Sequence, residues 1–171
     1  RYASDYFHQL YEWSLKLINE DKAYVDSQTS EEIGDQKGTP KEPGKNSPFR
    51  NRTAEENTML FKQMKEGKVE PGKHVLRAKI DMSSPNMLMR DPVIYRVLNA
   101  SHPRTKNEWV IFPMYDWTHG ESDYIEQISH SLCTLEFKPH RELYDWFLDQ
   151  VVDKDKIRPK QREFARLNLS H

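Results

Sequence analysis

Apolar positions near the start of the chain recur at helical spacing. Phe7, Leu10, Tyr11, Leu17 and Ile18 form one stripe running to about Asn19, with Ser4 placed as an N-cap and Asp5 in the first turn. Ala23-Tyr24-Val25-Asp26 predicts a short strand. Thr29 and Glu32 have capping-box spacing, so a short helix is expected to run to about Lys37 and stop at Gly38. The stretch GTPKEPGKNSP (38–48) holds three prolines and two glycines and predicts turns. Thr53 and Glu56 form a second capping box, opening a helix that carries Met59, Leu60 and Met64 and ends at Gly67.

His74 to Asp81 alternates, with Leu76, Ala78 and Ile80 on one face and Val75, Arg77 and Lys79 on the other, and predicts a strand. Val93 to Leu98 predicts another. A hairpin-like loop, ASHPRTKNE (100–108), leads to the apolar run Trp109-Val110-Ile111-Phe112, read as a buried strand that Pro113 ends for want of a donor. Gly120 is expected to turn the chain into a helix from about Glu121 to Ser129. A further helix spans His140 to Val152, with Leu143, Trp146, Phe147 and Val151 on one side. DKDKIRPKQ (153–161) reads as a loop. Glu163 to Leu169 reads as a last strand with Ala165, Leu167 and Leu169 facing inward.

These elements predict an α/β chain. Residues 21–108 lack a βαβ rhythm and read as an inserted α+β subdomain. The outer segments, 1–20 and 109–171, read together as one wall of a Rossmann-type sheet.

Composition narrows the function classes. The 171 residues are 31% charged and 36% apolar, polar for a globular chain but not disordered. A net charge of −1 gives no global argument for nucleic acid, so a basic patch must be local. Cys133 is the single cysteine, which excludes an internal disulfide and favours a reducing, cytoplasmic compartment. No apolar run approaches the roughly 18 residues of a membrane helix, and no signal peptide is expected. A helix starting within a few residues of Arg1 reads as a chain cut from something larger.

The candidate chemistry clusters after Phe112. Tyr115, Asp116, Thr118 and His119 follow the strand, and ligands of open α/β sheets bind beyond the carboxyl ends of strands. His130, Ser131, Cys133 and Thr134 return polar groups to the same neighbourhood. A phenol, an imidazole and an amide, from Tyr115, His119 and Gln161, can together read a carboxamide, which both donates and accepts. The plainer reading is ordinary strand-end polar residues. Cys133 is most simply a small hydrophobe. A nucleophilic role would need a base such as His130, and a zinc site fails on ligand count. Lys37, Lys41, Lys45, Arg50 and Arg52 face a single acid, Glu42, across the turn-rich stretch. That is either a solvated loop or a phosphate-contacting surface.

The run Tyr-Asp-Trp-Thr-His (115–119) followed by Ile-Ser-His-Ser-Leu-Cys-Thr-Leu-Glu-Phe (128–137) closely resembles the second half of the catalytic domain of glutaminyl-tRNA synthetases. PGKNSPFRNR (43–52), LRAKIDM (76–82), MRDPVIYR (89–96), LYDW (143–146) and EFARLNL (163–169) extend the resemblance in the family's order. It implies a partial Rossmann-type catalytic fold with an inserted acceptor-stem-binding subdomain. The implied activity joins glutamine to ATP, with Mg2+ in the full enzyme, and passes the glutaminyl group to the 3′ end of tRNA. A cytoplasmic monomer is expected. No side chain is assigned as catalytic and none as a metal ligand.

The resemblance implies that Tyr115 binds the glutamine amide and that His119 and Gln161 shape the same pocket. Cys133 becomes its neutral wall, where glutamate-specific relatives carry an arginine. Thr134 would touch the ATP ribose, and Arg166 and Leu167 would border the nucleotide. Lys37 to Arg52 would face the acceptor stem, with the family's apolar wedge position at or near Pro40. Two departures stand out: proline at that wedge, and Lys138-Pro139-His140 where many members place a base-reading acid. The family's His-Ile-Gly-His-like and Met-Ser-Lys-type ATP signatures are absent, so no amino-acid activation is expected of this segment alone. Alternatives are a glutamyl-tRNA synthetase of the related subclass and a non-catalytic acceptor-stem RNA-binding module. A metallohydrolase is disfavoured because His74, His102, His119 and His130 show no ligand spacing.

Overall fold

The computed structural model describes residues 6–98, 110–153 and 155–165. It is a mixed α/β chain that divides into two compact units, Arg1–Met114 and Tyr115–His171. This partition differs from the 21–108 insertion and its flanks.

The first unit holds a four-stranded antiparallel sheet in the order β1 (Ala23–Asp26), β2 (Val75–Ala78), β3 (Val93–Val97), β4 (Ile111–Pro113). Helix α1 (Phe7–Asn19) packs on β1 and on α3 (Ala54–Lys65). Its buried face is the predicted stripe plus Ser14, whose hydroxyl donates to the Leu10 carbonyl at 2.8 Å and so needs no water. The core between helices and sheet is aromatic: Tyr11 stacks on Phe61 at 5.1 Å, and Phe61 meets Tyr95 edge-on at 5.4 Å. Asn57 on α3 closes the outer edge of the sheet by accepting from Val25 N at 3.0 Å. Both predicted N-caps form, with Thr29 accepting from Glu32 N and Thr53 from Glu56 N, each at 3.2 Å. The first opens α2 (Ser30–Gln36).

Two strand expectations need correction here. β2 is shorter than His74 to Asp81, and Leu76, Arg77 and Ala78 are all buried, so its alternation does not divide core from solvent. Pro113 is the last residue of β4, but one further bond, from Met114 N to the Ile94 carbonyl at 2.8 Å, lies beyond it. Pro113 lies opposite Tyr95 in β4, the last strand of the sheet, where a residue without a donor is tolerated. The capping expected of Ser4 and Asp5, the 100–108 loop and Trp109 lie outside the described residues.

The second unit contains α4 (Tyr115–Ile125), β5 (His130–Thr134), α5 (Arg141–Val151) and β6 (Lys160–Phe164). β5 and β6 pair in parallel, with Ser131 opposite Gln161 and Cys133 opposite Glu163. A two-turn 3-10 helix, Leu135–His140, and then α5 make the crossover that a parallel pair requires. α5 buries Leu143, Tyr144, Phe147, Leu148 and Val151, while Trp146 is only half-buried.

Three expectations change in this unit. The helix expected at 121–129 starts six residues earlier, and Gly120 sits inside it rather than turning the chain. A Cβ at Gly120 would stand 2.9 Å from the Tyr144 ring, so glycine is what lets α4 approach α5. The last strand begins at Lys160 rather than Glu163, and Ala165 is exposed rather than inward. Gly120→Ala is expected to lower stability by about 1–3 kcal/mol, the cost of overpacking a filled interface. Urea unfolding of variant and native protein checks this.

Candidate functional site

Starting α4 at Tyr115 fixes the phase of the polar residues that follow. Tyr115 and His119 stand one turn apart, and their rings stack at 5.2 Å with an interplanar angle of 26°. One turn further on, Asp123 Oδ2 lies 3.6 Å from His119 Nε2. The other face of the helix carries Trp117, Gly120, Glu121 and Tyr124 into the interior, where Trp117 meets Phe147 edge-on at 5.0 Å. The three polar side chains are therefore a stripe opposite a buried face.

α5 and β5 hold that stripe in place. The Tyr144 ring meets His119 edge-on at 5.6 Å, and its hydroxyl lies 2.6 Å from Ser131 Oγ. The Ser131 hydroxyl also donates to Asp123. One serine thus ties the strand to both helices. Burial pushes the His119 imidazole below its ordinary range, with Asp123 and Asp116 opposing. A neutral imidazole has one donor and one acceptor nitrogen. Burial likewise raises the Tyr115 phenol, helped by Cys133, Asp116 and Asp123. The Cys133 thiol is raised by burial and then by Glu163, with Arg141 opposing. At neutral pH the cluster presents a phenol, a neutral imidazole and a thiol.

The Cys133 thiol donates to the Arg162 carbonyl on β6 at 3.7 Å. Tyr115 is 52% exposed. Gln161 is 3% exposed, and its Nε2 donates to Glu163 Oε1 at 3.2 Å. Glu163 in turn pairs with Arg141, which holds its carboxyl below the usual range. The Arg141 guanidinium, which acts on the thiol, is therefore offset by the Glu163 carboxylate. Thr134 ends β5, opposite Phe164. Arg166 and Leu167 lie outside the described residues. His140, in the departure segment, pairs through Nδ1 with Asp116 at 2.7 Å. Asp123 and Tyr144 escaped the sequence reading, because their i, i+4 relation to His119 and their packing appear only once both helices are in register.

The basic stretch belongs to the first unit. Thr39 and Glu42 exchange backbone hydrogen bonds of 3.1 and 3.2 Å across a tight turn, with Pro40 at the position where its fixed φ is favourable. Pro40 and Lys41 form its exposed tip, and Lys45 is exposed as well. Lys37 is half-buried, and burial, then Arg77 and Arg90, push its ammonium below its ordinary range. Two of the five predicted cations turn inward. Arg50 Nε pairs with Asp91 at 2.7 Å, and Arg52 Nη1 donates to the Val25 carbonyl at 2.9 Å while its guanidinium lies 4.3 Å over the Phe49 ring. Both are committed to folding the segment, which leaves Lys37, Lys41 and Lys45 as the basic surface.

Among the described residues no group of three or more His, Cys, Asp or Glu is arranged to hold a metal ion, and no helix is long and apolar enough to cross a membrane.

Residues 1–171 match the family model described as tRNA synthetases class I (E and Q), catalytic domain. The chain is 60% identical over 170 residues, 99% of its length, to the glutamine--tRNA ligase of Nitrobacter winogradskyi. It is 57% identical over all 171 residues to that of Pseudomonas syringae pv. tomato, and 58% identical over 170 residues, 99% of its length, to that of Bradyrhizobium diazoefficiens. It spans 30% of the length of each of these relatives.

Proposed function

Because this chain belongs to the class I tRNA synthetase (E and Q) catalytic-domain family, we propose that it is a segment of a glutamine--tRNA ligase. The proposed enzyme activates glutamine with ATP and transfers it to the 3′ end of its tRNA, as a cytoplasmic monomer. The observation that carries glutamine over glutamate is that the Tyr115 phenol, His119 imidazole and Cys133 thiol carry no charge, while the charges beside them are the Asp116 and Asp123 carboxylates and the Arg141–Glu163 pair. A carboxylate entering such a site would lose its hydration without gaining a cation, a cost of several kcal/mol.

The Tyr115 phenol is proposed to donate to the side-chain carbonyl of glutamine. His119 stacks beneath that phenol, and Asp123, tied down by Ser131 and Tyr144, orients the imidazole. Gln161 is proposed to act from behind, through its contact with Glu163. Thr134, Arg166 and Leu167 are proposed to border ATP, whose phosphates would bring Mg2+ with them. Lys37, Lys41 and Lys45 are proposed to contact acceptor-stem phosphates, with Pro40 as the apolar tip at the stem end. The rate enhancement expected of these residues comes from positioning and electrostatics rather than covalent chemistry.

The test is aminoacylation by the full-length protein that carries this segment. Glutamine should be charged to tRNA in an ATP-dependent reaction, and glutamate only poorly. Cys133→Arg should move the ratio of kcat/KM values toward glutamate by at least about tenfold, since a charge-assisted bond to the carboxylate replaces a neutral contact. An unchanged ratio would show that Cys133 does not face the side chain of the amino acid.

A further inference from the structure

Arg90 has no part in the site as described so far. It is 2% exposed, so it cannot itself meet a phosphate. Its Nε donates to the Ser84 carbonyl at 2.8 Å. Its Nη1 lies 2.9, 2.8 and 3.0 Å from the carbonyl oxygens of Lys37, Thr39 and Glu42. Among the described residues no carboxylate pairs with it. A buried guanidinium held against four backbone carbonyls, three of them sharing the two N–H groups of Nη1, is unusual, because charged groups are seldom buried without an opposite charge. Three of those carbonyls belong to the turn that carries Lys37 and Lys41.

The same turn is closed by backbone contacts. Gly44 N donates to the Met82 carbonyl at 2.9 Å, and Lys45 N to the Gln36 carbonyl at 2.8 Å. The fit leaves no spare room: a Cβ at Gly44 would lie 2.8 Å from the Lys37 carbonyl oxygen, and Gly38 has a φ of +77°. Left unsupported, a turn this polar would sample many conformations, and ordering it on binding would weaken affinity. Arginine is the one side chain with a rigid planar fork of donors and no acceptor, and lysine cannot reproduce it.

We propose that Arg90 is a positioning residue for RNA binding: it holds the 37–42 turn in its bound conformation before RNA arrives. This rests on the reading of the turn as the acceptor-stem surface.

The experiment measures affinity of the full-length protein for an acceptor-stem hairpin as a function of salt, alongside amide hydrogen exchange without RNA. Arg90→Lys and Arg90→Met are both expected to bind about tenfold more weakly, with a shallower salt dependence, since fewer phosphates are engaged. In both, the Thr39, Gly44 and Lys45 amides should lose protection while Leu76 and Tyr95 in the sheet keep theirs. The triple variant Lys37→Ala/Lys41→Ala/Lys45→Ala should also bind weakly, but with the turn amides still protected. If the triple variant is weak and Arg90→Met binds like the native protein, the positioning role is overturned and the RNA surface stands. If the triple variant binds like the native protein, the surface itself is wrong and the inference falls with it. Should neither Arg90 variant fold, the native protein decides: turn amides that exchange freely without RNA overturn the proposal, and protected ones support it.

Discussion

Asp91→Ala is expected to destabilise the protein by about 3–5 kcal/mol, the range found when one partner of a buried ion pair is removed. The size of the effect follows from how many groups converge on one carboxylate that is 1% exposed. Oδ2 accepts from Arg50 Nε at 2.7 Å and from the Tyr24 hydroxyl at 2.9 Å, and Oδ1 accepts from Ile80 N at 2.7 Å. The Asp91 carbonyl accepts from Arg77 Nε at 2.8 Å, and Arg77 Nη1 pairs with Asp26 at 2.8 Å. Alanine leaves the Arg50 charge, a phenol and a backbone N–H without their acceptor. It must also adopt φ +41°, a region that aspartate tolerates better than alanine does. Asp91→Asn keeps the shape and one carbonyl acceptor, so its loss should be about half as large. Urea denaturation midpoints at constant slope measure both. A loss below about 1 kcal/mol for Asp91→Ala would mean that water replaces the carboxylate and that the network is not what holds the 50s segment to the sheet.

This network also marks where sequence reading stops. The helix starts at Thr29 and Thr53 were legible because a capping box is a contact between residues three apart. The turn at Pro40 was legible for the same reason. Asp26 and Arg77 are 51 positions apart, and each looks like a surface charge until the β1–β2 register brings them together. Arg50 and Arg52 were read as basic surface on composition, and the structure turns both inward. The start of α4 was missed because Thr118, Gly120 and Asp123 are weak helix formers. Packing of Trp117, Gly120 and Tyr124 into the interior makes that helix, not propensity. Once its phase is known, Tyr115, His119 and Asp123 fall on one stripe.

Glu121→Gln is expected to change how stability depends on pH. Glu121 lies on the inward face of α4, is 0% exposed, and neither carboxyl oxygen has a hydrogen-bond partner among the described residues. Burial raises its pKa well above the ordinary 4.5. The folded protein therefore keeps the proton at pH values where the unfolded chain has already lost it. Across that window the native state binds more protons, so stability falls as pH rises, by up to about 1.4 kcal/mol per pH unit. The window opens near the unfolded value of 4.5 and closes at the raised folded value. Glutamine has nearly the shape of the protonated acid and does not titrate. The variant and the native protein should be about equally stable near pH 4.5, and the variant should become progressively the more stable toward pH 8. His119, depressed by burial, works the opposite way, destabilising the fold as pH falls below its unfolded value. It is present in both proteins and cancels in the difference between the two profiles. Urea unfolding at half-unit steps from pH 4.5 to 8 gives that difference directly. Parallel profiles would show that the Glu121 carboxyl finds water or a partner on ionising, and the buried acid would then carry no penalty at neutral pH.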